Sequence, residues 1–374
     1  MNSRQSKVLQ ARRSERISIV SLRYGWWMGR AGRAVKKAAP LLGYRLSRSM
    51  LAALGCPSGA LAWPLGLAYW VLNAYRDTGT IADIPNWIEK SFRLQFDNDG
   101  HPINKEIASD MGVLGYAALG LFERTHDPRY LEFAHAIGNA LADMPGYGTG
   151  AIPYALGRNE VLVDTVAFVC PFLARLARID SSVPPLSAAL SMQRTVVTNT
   201  EIDGQWPYHG YDQRTMQPLG IAGWGRGIAW LLVGTIDLAA EMPDCDARNE
   251  LITYAAQVLH RLASCQLDSG HWPWCLTDAF AQEDSSVTAL VLYAMARFDQ
   301  CFTDAPLLNN SLEKAARAID NTTTDDGWVT NCSGEVIDLG IYSDQFSSYL
   351  WALAPAVAAF EIMNSAGTRN DAHR

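Results

Sequence analysis

Apolar positions recur along this chain at three- and four-residue spacing. The segments AYWVLNAYRDTG (68–79), DMGVLGYAALGLFERT (110–125), DTVAFVCPFLARLARI (164–179), GIAWLLVGTIDLAAEM (227–242) and SSVTALVLYAMARF (285–298) all follow it, and it is the spacing of a helix face. Long runs of alternating apolar and polar residues are absent, so the pattern predicts an all-α chain. Gly-rich turns separate the helices: CPSGALAWP (56–64), NDGHP (98–102), GYGTGAIP (146–153), DGQWP (203–207), DSGHWP (268–273) and DDGW (325–328). Their starts lie roughly 40 to 65 residues apart, room for two helices per unit, which marks a repeat architecture. In each unit the turn precedes a strongly apolar helix. Intervening helices such as PRYLEFAHAIGNALADM (128–144) carry more charge. Two classes of helix imply two layers, and six apolar inner helices ringed by six amphipathic outer ones make an (α/α)6 barrel.

Composition supports one large core. The chain has 374 residues, 49% of them hydrophobic. Net charge is -7, unevenly spread: residues 1–50 hold twelve of the 31 Lys/Arg and one of the 38 acids, leaving 19 bases against 37 acids in the rest. A basic arm on an acidic body suits contact with anionic lipid or nucleic acid, or a mobile leader; no nucleic-acid partner is expected. The leader, with Trp26 and Trp27, offers a peripheral contact to an anionic membrane. The stretch from Ser49 to Tyr75 is uncharged, but GCPSG (55–59) and Pro64 divide it into pieces too short to span a bilayer. No apolar signal core is visible. Seven cysteines without a CxxC pair suggest a reducing, cytoplasmic setting and no zinc site. The expected organisation is a basic leader over 1–48, a barrel over 49–365 and a tail over 366–374.

Chemistry concentrates in HGYDQRTMQPLGIAGWGRGIAW (209–230), which combines histidine, aspartate, arginine and tryptophans around a Gly-rich turn. Aromatic faces stack on pyranose rings, and a guanidinium fork matches a carboxylate. The turns would gather at one end of the barrel and line it with Trp63, His101, Trp206, His209, Trp224, His271, Trp272, Trp274 and Trp328, a concave aromatic rim suited to a small ligand. The plainer alternative is that these tryptophans cap the core. Asp110 and Asp164 open inner helices. Each would be an ordinary helix cap if taken alone, but two carboxylates in one aromatic mouth form an acid/base pair.

The segment DTVAFVCPFLARLA (164–177) resembles the catalytic-helix segment of the unsaturated uronyl hydrolases, glycoside hydrolase families 88 and 105. In those families an Asp opens a helix bearing Pro-Phe-Leu seven residues later. YHGYD (208–212) with GWGRGIAW (223–230) is similar to their His-Gly-Trp-Asp and Trp-Gly-Arg-Gly-Asn-Gly-Trp pair. Residues 108–130, 61–79 and 283–295 resemble further family segments, so the likeness runs in order over about residues 55–365. The resemblance implies an (α/α)6 barrel without metal or cofactor. It implies an oligosaccharide substrate ending in a 4,5-unsaturated uronic acid, and hydration of that vinyl ether. It further implies Asp164 as general acid/base, Asp110 as its partner, and His209, Trp224, Arg226, Trp230, Trp63 and Asp212 as sugar-binding residues, with Arg226 suited to the uronate.

Two departures stand out. GAIPYALGRNE (150–160) replaces a Phe-Trp-His-Lys-type stretch, so the histidine is absent and Arg158 is the nearby cation. Ile228 stands where the family motif has a polar residue. Two other functions are compatible with the same barrel: a polysaccharide-associated binding or biosynthetic accessory protein, and a sugar epimerase, whose paired histidines are not matched here.

Overall fold

The structure is a computed structural model. It describes residues 66–67 and 92–372, apart from short breaks at 105–107, 182–185, 203, 279, 304–306, 326 and 337–338. The basic leader, Trp63 and most of the first predicted inner helix lie outside the described residues. Among these residues the helices are α1 (Gly112–Thr125), α2 (Pro128–Ala142), α3 (Asp164–Ile179), α4 (Leu186–Thr200), α5 (Gly225–Glu241), α6 (Asp246–Ser264), α7 (Ser285–Phe302), α8 (Asn309–Asn321) and α9 (Leu350–Ala372). The odd-numbered helices pack side by side in the order α1, α3, α5, α7, α9, and the even-numbered ones lie outside them. They are the described share of an (α/α)6 barrel. Gly66 and Leu67 lie against the start of α1.

Burial follows the two helix classes. Every residue of α5 from Gly225 to Ala239 is buried, whereas α6 and α8 bury single stripes. An apolar helix can only sit inside, and a striped one can only cover it. Helix starts are set locally. Asp127 accepts the Arg129 amide ahead of Pro128 in the first turn of α2, and Asp284 accepts the Ser286 amide at the start of α7. Inner helices approach closely where glycine removes the side chain. A Cβ on Gly112 would lie 2.2 Å from the Phe168 carbonyl oxygen, and one on Gly234 would lie 2.5 Å from the Ala167 nitrogen. These contacts lock α1 to α3 and α3 to α5 beside the residues expected to react.

Two features depart from the sequence pattern. A 3-10 turn, Ser109–Met111, precedes α1, so Asp110 sits ahead of the α-helix proper. A small antiparallel sheet is also present. β1 (Glu160–Leu162) pairs with β2 (Tyr208–Asp212), which pairs with β3 (Gln217–Ala222). The sheet escaped the pattern because β2 buries its three central residues, His209, Gly210 and Tyr211, instead of alternating. β4 (Cys332–Ser333) and β5 (Phe346–Ser347) form a second short pair.

At the end of the barrel opposite the mouth, the last turns of the inner helices meet through charges. Tyr116 donates to Glu241 at 2.7 Å, and Arg178 binds both Glu123 (2.9 Å) and Glu241 (3.1 Å). Arg175 also donates to Glu123. Beside them Asp237 accepts from Arg297 at 3.0 Å and from Tyr293 at 3.1 Å. The six described cysteines, Cys170, Cys245, Cys265, Cys275, Cys301 and Cys332, are free. No helix among the described residues is long and apolar enough to cross a membrane.

Candidate active site

Asp164 is the first residue of α3. Helix starts usually recruit such a carboxylate as a cap, but here Val163 holds the cap position and no side chain caps the helix. Asp164 is buried, at 8% exposure, and its Oδ2 lacks a hydrogen bond among the described residues. His209 Nε2 lies 3.3 Å from that oxygen, so the two are in ion-pair range although the approach is too oblique for a hydrogen bond. β2 carries His209, and the Val163 amide donates to the His209 carbonyl at 3.0 Å, tying the strand to the start of α3.

His209 is held from its other side. Its Nδ1 lies 3.0 Å from the Tyr342 hydroxyl, which accepts the Ile221 amide at 3.1 Å. With that amide donating to it, the phenol is free to give its own proton to Nδ1. This arrangement favours the imidazole tautomer that carries its proton on Nε2. Burial pushes the Tyr342 phenol up to about 12, the Ile221 amide opposing and the Asp164 charge adding, so it remains a neutral donor. The Trp224 ring covers His209 at a centroid distance of 4.1 Å, and Tyr342 packs against Trp224 (5.7 Å) and Trp274 (5.9 Å).

Asp110 is buried in the 3-10 turn. The Tyr154 phenol lies in the field of Asp110, Asp164 and Glu335, and its carbonyl accepts the Ser109 amide (3.1 Å) and hydroxyl (3.0 Å) next to Asp110. Burial, reinforced by those three carboxylates, pushes the Tyr154 phenol far up.

The other expected site residues sit elsewhere. Arg226 is buried behind Trp224, with its guanidinium 5.0 Å from that ring and 5.4 Å from Trp351. Its Nη1 donates to the Ser333 carbonyl (2.7 Å) and hydroxyl (2.8 Å), and its Nη2 to the Gly334 carbonyl (2.8 Å). Burial pulls its pKa down, opposed chiefly by Asp284 and then Asp164. Asp284 accepts the Ser333 amide and hydroxyl at 3.1 and 2.5 Å, completing a clamp on β4. Trp230 is fully buried against Phe168 at 5.5 Å, between α3 and α5. Asp212 accepts the amides of Arg214 and Thr215 and shapes the β2–β3 turn. Ile228 is buried with Trp206, Pro207 and Tyr254, between α5 and α6.

The aromatic rim is therefore narrower than the turns imply. Trp272 is wholly buried and donates to the Leu262 carbonyl. His271 is buried on Thr288, with its pKa lowered by that burial. Arg261 covers Trp206, at 4.1 Å. These turn residues serve the core, leaving Trp224, Trp274 and Tyr342 around His209. Sequence inspection missed Tyr154, Tyr342 and Glu335. Tyr154 lies within GAIPYALGRNE, the segment that departs from the family pattern and in which Arg158 is the cation. Arg158 is exposed and pairs with Glu160 at 3.8 Å. Tyr342 and Glu335 lie in loops far along the chain that no local pattern marks. Asp97, Asp99 and His101 could offer ligand atoms to a metal, but they form an exposed turn beside α2, and Asp97 Oδ1 already accepts the amides of Asp99 and His101.

The sequence model of Glycosyl Hydrolase Family 88 matches residues 54–354. No curated protein sequence matches significantly. Among solved structures, a possible member of the GH105 family from Klebsiella pneumoniae is similar with a TM-score of 0.74 at 20% identity, over 82% of each chain. An unsaturated glucuronyl hydrolase specific for heparin is similar with a TM-score of 0.66 at 16% identity, over 82% of this chain and 86% of that one. The unsaturated glucuronyl hydrolase of Bacillus sp. GL1, responsible for the degradation of glycosaminoglycan, has a TM-score of 0.61 at 16% identity, over 79% of this chain and 84% of that one.

Proposed function

The chain belongs to Glycosyl Hydrolase Family 88, a glycosidase family, and from that premise we propose that it hydrates a 4,5-unsaturated uronic acid at the non-reducing end of an oligosaccharide. The observation that supports this most is the buried Asp164 carboxylate at the start of α3, 3.3 Å from His209 Nε2. A helix start provides amides and a dipole, yet this carboxylate leaves them unused and turns to the mouth.

Asp164 delivers a proton to C4 of the vinyl ether. Positive charge builds at C5 and the ring oxygen, where the Asp110 carboxylate stabilises it. A water adds at C5 and returns its proton to Asp164, restoring the acid. The resulting hemiketal opens by breaking the bond between C5 and the ring oxygen. C1 becomes a hemiacetal and releases the remaining oligosaccharide as an alcohol. Trp274 supplies a face for the sugar ring, buried Trp224 holds the His209 ring, and His209 orients Asp164. Arg226 acts behind Trp224, fixing that ring and the 332–334 segment.

The test is decay of the ultraviolet absorbance of the conjugated C4=C5 bond across a panel of lyase-generated disaccharides. Steady decay is expected for at least one. A second reading, sugar binding without turnover, is favoured by the commitment of the Arg226 donors to backbone carbonyls instead of a uronate. Saturable binding of the panel with no decay on any member would select it.

A further inference from the structure

The chain between β4 and β5 delivers Tyr342 to His209, and the contact is prepared on both sides. The base of that chain is fixed. Arg226 holds the Ser333 and Gly334 carbonyls, Asp284 accepts the Ser333 amide, and the Gly334 amide donates to the Gln345 carbonyl at 2.8 Å. At the site, the Tyr342 hydroxyl accepts the Ile221 amide at 3.1 Å and lies 3.0 Å from His209 Nδ1. Gly220 makes the room for it. A Cβ there would come within 2.6 Å of the Tyr342 hydroxyl oxygen and 2.8 Å of the His209 Cβ, and the backbone is left-handed at φ +77°, which favours glycine. The Tyr342 ring rests against Trp224 and Trp274, at centroid distances of 5.7 and 5.9 Å.

We propose that Tyr342 is a positioning residue: it donates its phenolic proton to His209 Nδ1, so that the imidazole keeps its own proton on Nε2, the nitrogen 3.3 Å from Asp164 Oδ2. A hydroxyl has one proton to give and two lone pairs to accept with. The Ile221 amide occupies a lone pair, which leaves the proton for Nδ1. The reverse arrangement, with Nδ1 donating, would put two donors on the phenol oxygen and leave its proton without an acceptor among the described residues. A neutral imidazole carries one proton, so an Nδ1 that accepts requires an Nε2 that is protonated. That choice matters at Asp164. A bare Nε2 would be a base within reach of the acid and could take its proton. A protonated Nε2 cannot, and the Asp164 proton is kept for the substrate.

The consequence for turnover rests on the hydratase reading, whereas the place of the proton is testable without it. In the full chain carrying nitrogen-15 histidine, His209 is assigned by loss of its signals in His209→Gln. In alkaline buffer the wild type should show a protonated Nε2 and a bare Nδ1 displaced upfield by a donor. Tyr342→Phe keeps the ring against both tryptophans and removes only the hydroxyl, so the Nδ1 signal should move downfield, toward that of a nitrogen without a donor. An Nδ1 signal unmoved in the folded variant overturns the proposal. Should the Phe variant not fold, the wild type decides, since a His209 proton found on Nδ1 overturns it as well. If the chain turns over an unsaturated uronide, Tyr342→Phe should lower kcat by roughly tenfold with KM nearly kept, as for a group that acts on the reacting pair and not on substrate binding. A raised KM with kcat unchanged would make Tyr342 a substrate contact and overturn the positioning role. Absence of turnover on every substrate removes only the hydratase reading and leaves the nitrogen signals to judge Tyr342.

Discussion

The two ends of the inner helices treat charge in opposite ways. At the far end, Glu123, Glu241 and Asp237 are matched by Arg175, Arg178 and Arg297, with Tyr116 and Tyr293 filling the remaining acceptor positions. At the mouth, Asp110, Asp164 and Glu335 all raise the Tyr154 phenol, and Arg226, in the field of Asp284, Asp164 and Glu335, gives its donors to backbone carbonyls. Paired buried charges build rigidity, while a buried carboxylate without a full set of partners retains reactivity at a cost in stability. One set of helices therefore carries a compensated far end and, at the mouth, an Asp164 whose Oδ2 has no hydrogen bond among the described residues.

This contrast can be broken from either end. The largest effect should come at the mouth. Asp164→Asn preserves shape but removes the transferable proton, so turnover of the unsaturated uronide should fall by ~10²–10⁴-fold. The melting temperature should stay level or rise, because the carboxylate it removes has no hydrogen bond at Oδ2 among the described residues. Turnover surviving within a few fold would mean that another group protonates C4. At the far end the effect should reverse in kind. Arg297→Met leaves Asp237, which is almost wholly buried, without its cation and should cost about 3–5 kcal/mol in urea unfolding.

Arg226→Lys tests the clamp between the two regions. A point-charge ammonium cannot hold the Ser333 and Gly334 carbonyls together, so a loss of about 1–3 kcal/mol is expected, along with faster proteolysis of the 332–347 segment. Stability and proteolysis matching wild type would return Arg226 to the substrate. The smallest effect concerns acid. Burial alone would raise Glu123, but Arg175 and Arg178 outweigh it and hold the carboxyl below its ordinary 4.5. A depressed folded value stabilises the protein above the unfolded value, and that stability is lost as pH falls through the folded one. The stability gap between wild type and Glu123→Gln should therefore be full at about pH 6 and shrink below about pH 4.5. A gap independent of pH would show that packing, not charge, sets it.

Much of the helical frame was legible because burial imposes a period on each helix. DTVAFVCPFLARLARI predicts residues 164–179, and α3 has those limits. The predicted start at Ser285 also holds, set by the Asp284 cap. The hairpin β2–β3 was not legible, since a strand buried at three successive positions shows no alternation.

At the site the division is similar. The residue types and order of Asp110, Asp164, His209, Trp224 and Arg226 were readable from local motifs, because each begins or precedes an inner helix. Their partners were not. Tyr342 reaches His209 across 133 residues, and Ser333 reaches Arg226 across 107. Those contacts exist only when the barrel closes and brings distant loops over the same helix starts. Local spacing determined where each helix begins and which face it buries. Tertiary closure decided that Arg226 holds backbone, that Trp230 fills the core and that Tyr342 holds His209, because a side chain's partners depend on distance through space and not along the chain.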